Sequence, residues 1–214
     1  MGAWYYFYML HLKPLHIVFL SLILFAGIFF IFKRDIPIKN YPLREGPIVA
    51  FGDSLVFGFG STQGGGFVSL LSQKLGEPII NHGVSGNTSA DALSRIDDVI
   101  SEKPRLVLVL LGGNDFLRKV PHDTTFNNLR LIIQTIQSNG SAVVLMGVRG
   151  GLLNDPVDSL YEDLAYDTGS FYIPDVLDGL FADSRFMSDS IHPNDRGYAR
   201  IADKVYDALN SFIR

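Results

Sequence analysis

Residues 47–60 read PIVAFGDSLVFGFG. Ile48, Val49, Ala50 and Phe51 form a continuous apolar run of the kind that fills a strand buried on both faces, and Gly52 ends it. Ser54 follows where the backbone must turn out of the sheet. In open α/β sheets ligands bind outside the carboxyl ends of the strands, so a side chain just after the first strand faces the expected site. A serine in that place is a candidate nucleophile, and equally an ordinary turn residue or helix cap. The choice rests on whether the chain also supplies a base, an orienting carboxylate and donors for an oxyanion.

Downstream, strand-like runs recur at 79–81, 106–111, 142–148 and 171–173. Amphipathic segments lie between them. Leu93, Ile96, Val99 and Ile100 fall on one helical stripe, as do Phe126, Leu129, Ile132, Ile133 and Ile136. A further helix is expected near 157–165, and a last one with Tyr198, Ile201, Ala202, Val205, Leu209 and Phe212 on one side, capped by Asn194 or Asp195. Alternating strands and helices with continuously apolar strands imply an α/β fold. The expectation is a flavodoxin-like, three-layer α/β/α sandwich with a five-stranded parallel sheet.

Upstream, residues 15–32 (LHIVFLSLILFAGIFFIF) carry no acidic or strongly basic side chain and are long enough to cross a bilayer as a helix. An aromatic cluster, Trp4 to Tyr8, precedes them, and Phe29 to Phe32 stand where a signal peptidase would need small residues. The expectation is one uncleaved N-terminal transmembrane helix within 1–32, then an extended linker over 33–46 containing Pro37 and Pro42, then a catalytic domain over 47–214. That makes the protein membrane-anchored and single-pass. Lys33, Arg34, Lys39 and Arg44 after the segment favour a cytoplasmic domain, with an envelope-facing one as the alternative.

Four loops at strand ends or before the last helix hold the polar residues that can do chemistry: 52–55 (GDSL), 81–89 (NHGVSGNTS), 112–115 (GGND) and 188–194 (SDSIHPN). Gly83 and Gly86 permit unusual backbone angles or a close approach to a ligand. The Asn114 amide, directly after LVLVLL, can donate to a developing oxyanion or make an Asx turn. Asp189 and His192 are three apart, and Pro193 keeps the histidine out of helical geometry. That spacing lets the carboxylate bind Nδ1 while Nε2 faces the serine. Each feature alone has a structural explanation; their joint presence in one small domain favours a catalytic one.

With GDSL at 52–55, SGNT at 85–88, GGND at 112–115 and DSIHPN at 189–194, the chain resembles the GDSL, or SGNH, hydrolases over residues 47–213. The resemblance implies Ser54 as nucleophile, His192 as general base and Asp189 as the residue that orients it. It further implies an oxyanion hole from the Ser54 backbone amide, Gly86 and Asn114. The implied function is a serine esterase acting on carboxylic esters or thioesters, nearest the bacterial thioesterase, lysophospholipase and arylesterase branch. A carbohydrate O-acetylesterase or an envelope acyltransferase would use the same first half-reaction. Segments 56–66, 115–125 and 149–160 are the expected pocket walls.

The function classes that remain are few. A formal net charge of −4 without a basic run excludes a nucleic-acid surface. With no cysteine there is no thiolate nucleophile or disulfide, and no closely spaced histidine pair argues for a metal. No cofactor is expected. His82 and His122 read as structural or substrate-proximal. A phosphate- or nucleotide-binding module using Gly58, Gly60, Gly64, Gly65 and Gly66 is the rival from another class, but Gln63 stands where a dinucleotide fingerprint needs glycine and a P-loop needs a lysine this loop lacks. The expected partner is a small-molecule or lipid acyl ester, with the membrane reached through the N-terminal helix. The oligomeric state is open, a monomer being the default.

Overall fold

The computed structural model describes residues 37–148, 157–181 and 183–213. The chain divides into two units, Met1–Ile36 and Pro37–Arg214, and every described residue lies in the second. Its elements are β1 (Ile48–Gly52), α1 (Ser54–Phe57), α2 (Gly66–Leu75), β2 (Ile79–Gly83), α3 (Ser89–Leu93), α4 (Ile96–Ser101), β3 (Leu106–Leu110), α5 (Gly113–Leu117), α6 (His122–Ser138), β4 (Ala142–Met146), α7 (Val157–Thr168), β5 (Phe171–Ile173) and α8 (Asp195–Ile213). The five strands form one parallel sheet in the order β2-β1-β3-β4-β5.

The strand order follows from composition. β1, β3 and β4 are apolar at nearly every position and are buried throughout, so they occupy the middle. β2, with Asn81 and His82, is only partly buried and takes an edge. The layers are closed by amphipathic helices. α6 turns Leu129, Ile132, Ile133 and Ile136 inward, and α8 does the same with Tyr198, Ile201, Ala202, Val205 and Leu209. Each of the leucines, isoleucines and valines among them contributes about 1.5–3 kcal/mol of transfer free energy.

The helix expected over 93–100 is two helices, broken at Ser94 and Arg95. The Arg95 guanidinium is drawn toward the sheet, where it donates to the carbonyls of Gly52 (2.8 Å) and His82 (3.0 Å) and to the Asn87 side chain (2.6 Å). Residues 37–46, expected within an extended linker, lie along the domain. Asn40 donates to the carbonyls of Gln137 (2.7 Å) and Ser141 (2.9 Å), Arg44 donates to that of Pro104, and Ile38 and Leu43 pack against the core.

The expected transmembrane helix requires correction. Among the described residues no helix is long and apolar enough to cross a membrane. The two longest, α6 and α8, carry charged residues such as Arg130, Arg200, Asp203 and Lys204 on their outer faces, which suits a helix lying on a sheet. Residues 15–32 lie outside the described residues. The expectations of a membrane-spanning helix and a membrane-anchored, single-pass location are therefore without support.

Candidate active site

At Gly52, the last residue of β1, nothing larger fits: a Cβ there would overlap the Leu110 carbonyl oxygen and a methyl of Val56. The chain then turns through Asp53, whose carboxylate accepts the Leu55 N–H at 3.0 Å and caps α1. Ser54 is the first residue of that helix and is nearly buried. Its backbone N–H, in the first turn, has no acceptor within the helix.

The loop before α8 is built around one carboxylate. Asp189 Oδ1 accepts the backbone N–H groups of Ile191 (2.8 Å) and His192 (2.7 Å), which folds the turn, while Oδ2 lies 2.8 Å from His192 Nδ1. The far side of the ring is then aimed across the sheet edge, and Nε2 lies 3.1 Å from Ser54 Oγ. Burial opposes the charge on Asp189, but the hydrogen bonds from the His192 ring and the two backbone amides hold its carboxyl below the usual carboxylate range. The residue stays ionised and keeps the proton of the imidazole on Nδ1.

Asn114 stands in the first turn of α5, directly after β3. Its amide nitrogen donates to the Asn87 carbonyl at 3.0 Å and lies 3.3 Å from Asp53 Oδ2. The neighbouring Asp115 is buried and ties the adjoining loops together, accepting from the Ser89 N–H (2.8 Å), the Ser89 hydroxyl (2.5 Å) and the Thr125 hydroxyl (3.3 Å). Burial pushes the Asp53 carboxyl up to about 6, against the lowering effect of the Leu55 N–H and nearby His192.

Ser54, Asn114, Asp189 and His192 line one cavity of about 740 Å³. Its remaining wall is largely apolar, with Val148, Val157, Tyr161, Leu177, Phe181 and Met187. Gly86 is the sequence-predicted site residue that does not line this cavity. It sits at φ 81°, its carbonyl accepting from Arg118 at 2.8 Å, on the loop whose next residue, Asn87, anchors the Asn114 amide. Of the expected walls, 115–125 contributes Phe116, Leu117, Val120, His122 and Thr125, whereas no residue of 56–66 reaches the cavity. Val157 comes from the expected 149–160 wall, of which 149–156 lie outside the described residues. His82 stands apart, 3.4 Å from Glu102.

A family model described as GDSL-like lipase/acylhydrolase matches residues 50–200. The chain belongs to this family. An esterase TesA of Pseudomonas aeruginosa is 28% identical to this GDSL hydrolase over 178 residues, 78% of this chain and 89% of that protein. A thioesterase 1/protease 1/lysophospholipase L1 of Escherichia coli is 30% identical over 175 residues, 78% and 84% respectively. The crystal structure of the psychrotrophic esterase EstA from Pseudoalteromonas sp., inhibited by monoethylphosphonate, superimposes with a TM-score of 0.72 at 28% identity, covering 79% of this chain and 99% of that one. This GDSL hydrolase is a carboxylic ester hydrolase, a serine esterase of the thioesterase and lysophospholipase type.

Three contributors were not recognised from the sequence. Asp53 and Asp115 sit inside motif blocks, so their positions were visible but their buried roles were not. Tyr161, whose hydroxyl donates to the Leu111 carbonyl at 2.5 Å, comes from a helix with no motif at all.

Proposed function

We propose that the hydrolase domain, residues 47–214, cleaves medium-chain acyl esters and thioesters through an acyl-enzyme on Ser54. Ser54 Oγ attacks the carbonyl carbon as His192 Nε2 takes its proton, and Asp189 stabilises the imidazolium that forms. The carbonyl oxygen becomes an oxyanion held by the Ser54 N–H and the Asn114 amide, both from residues that line the cavity. The 3.0 Å bond to Asn87 fixes the direction of the Asn114 amide. Its 3.3 Å contact with Asp53 exceeds the usual hydrogen-bond range, leaving that N–H free to turn to a better acceptor. Collapse of the intermediate expels the alcohol or thiol, which receives the proton from His192. Water, deprotonated by the same nitrogen, then attacks the acyl-Ser54 carbonyl, and the bond to Oγ breaks as His192 returns the proton to Ser54 and the acid is released.

The observation that carries the acyl preference is the apolar cavity opening beside Ser54. A volume of about 740 Å³ is far more than an acetyl group fills and lies within the range of pockets for drug-sized ligands. Each methylene placed against the apolar wall contributes up to about 0.8 kcal/mol, or about fourfold in kcat/KM. The test is a panel of p-nitrophenyl esters and acyl thioesters of increasing chain length. We expect kcat/KM to climb from acetyl to a maximum near about eight carbons. A maximum at acetyl that falls with every added carbon overturns the preference.

A further inference from the structure

The glycine-rich segment 58–66 has no part in the cavity, yet it is fastened at three points to the catalytic histidine loop and the start of α8. The ring of Phe59 lies against the His192 imidazole, centroids 4.4 Å apart and planes tilted by 47°. The Phe59 carbonyl accepts the Tyr198 hydroxyl at 2.7 Å. Two residues on, Asp195 of α8 accepts from the Ser61 hydroxyl (2.7 Å), the Thr62 N–H (2.9 Å) and the Thr62 hydroxyl (2.5 Å). Gly60 closes the contact between these points. A Cβ there would overlap Ser188 Oγ and come within 2.7 Å of the Pro193 carbonyl, and Ser188 in turn donates from both its N–H (2.8 Å) and its hydroxyl (3.0 Å) to the His192 carbonyl.

Phe59 is 46% exposed, so burial of its ring against the core is not what fixes it there. What the ring packs against is His192. The imidazole thus has three neighbours: Asp189 on Nδ1, Ser54 on Nε2 and the tilted Phe59 ring. The histidine loop itself has little regular structure, only the Met187–Pro193 bridge, so its register over Ser54 depends on neighbours. We propose that Phe59, with the Ser61/Thr62–Asp195 latch that holds its loop in place, is a positioning element for His192. This rests on the Ser54–His192 reading above.

The latch and the ring act on the efficiency of proton transfer and not on substrate contact, because none of Phe59, Ser61, Thr62 or Asp195 lines the cavity. Displacement of a catalytic group by about 1 Å costs up to about a hundredfold in rate, so a loosened histidine loop should cost about tenfold or more. The experiment uses Phe59→Ala, Phe59→Tyr, the pair Ser61→Ala/Thr62→Val, Asp195→Ala and Asp195→Asn. Active sites are counted by titration with a fluorophosphonate, and kcat is expressed per titrated site. Phe59→Ala and the latch-breaking variants are expected to lose about tenfold in kcat with KM changed by less than about twofold. Phe59→Tyr keeps the ring, and in Asp195→Asn the amide oxygen still accepts from Ser61 and the Thr62 N–H while Nδ2 donates to the Thr62 hydroxyl oxygen, so both should retain most of the rate. A purely structural role would lower the titratable fraction and leave kcat per site unchanged, and that result overturns the proposal. So does a rise in KM with kcat unchanged, which would make Phe59 a substrate contact. Uptake of the fluorophosphonate by Ser54→Ala would instead overturn the underlying Ser54 reading, and this proposal with it.

Discussion

The side-chain amide of Asn114 lies 3.3 Å from the carboxyl of Asp53, a group sealed from solvent next to the reactive serine. The two residues follow adjacent strands, β1 and β3, and their contact joins the serine turn to the loop after β3. A donor held by one firm bond to Asn87 and one long contact to Asp53 is oriented before substrate arrives, and this preorganisation is what a developing oxyanion exploits.

Removal of that donor should therefore act on the transition state. Asn114→Ala is expected to lower kcat by about 10² to 10³ with little change in KM. Steady-state kinetics on an activated ester measure this, and a large rise in KM at unchanged kcat would mean that the amide binds ground-state substrate instead.

Asp53 carries a linked prediction about pH. Its folded carboxyl is raised from 3.8 to about 6, so the native state keeps a proton that the unfolded chain gives up. Relative stability from this group is complete below about pH 4 and is lost as pH rises through about 6, a total of about 3 kcal/mol. Asp53→Asn abolishes the titration. Urea unfolding of wild type and variant across that window should show their stability difference moving in favour of the variant as pH rises, then levelling off above about pH 6. A difference independent of pH would place Asp53 in a more solvated setting.

Arg95 offers a test of the strand-end scaffold. Its guanidinium spans acceptors on β1, β2 and the Asn87 loop and stacks over the Phe51 ring at 4.5 Å. A lysine reaches only part of this set and cannot reproduce the fork, so Arg95→Lys should lose about 2 kcal/mol of stability. It should also lower kcat, because Asn87 anchors the Asn114 amide. Denaturant midpoints and kinetics on the same preparation would check both effects.

The sequence was most informative where the relevant contacts are local. The parallel sheet was legible from the apolar runs at 48–51, 106–111 and 142–148, whose burial on both faces leaves no polar alternation. Asp189 and His192 were legible because their pairing is set by a turn of a few residues. What escaped notice depends on long separations. Asp195 meets Ser61 and Thr62 across more than 130 residues, and no period or motif announces such a pairing. Helix α2 was hidden behind the glycines that precede it, although Phe67, Val68 and Leu71 form its buried stripe. The same glycines read as a pocket border, but none lines the cavity, and Gly60 instead meets the histidine loop, where a Cβ would overlap Ser188 Oγ.

The most direct measurement is intact-mass analysis of the protein quenched during turnover of an activated acyl ester, followed by peptide mapping. An acyl adduct on the peptide containing Ser54, absent from Ser54→Ala and much slower to form in His192→Ala, is the predicted result. An adduct on any other residue, or turnover at the wild-type rate by Ser54→Ala, would contradict the assignment of the Ser54 hydroxyl, activated by His192, as the nucleophile.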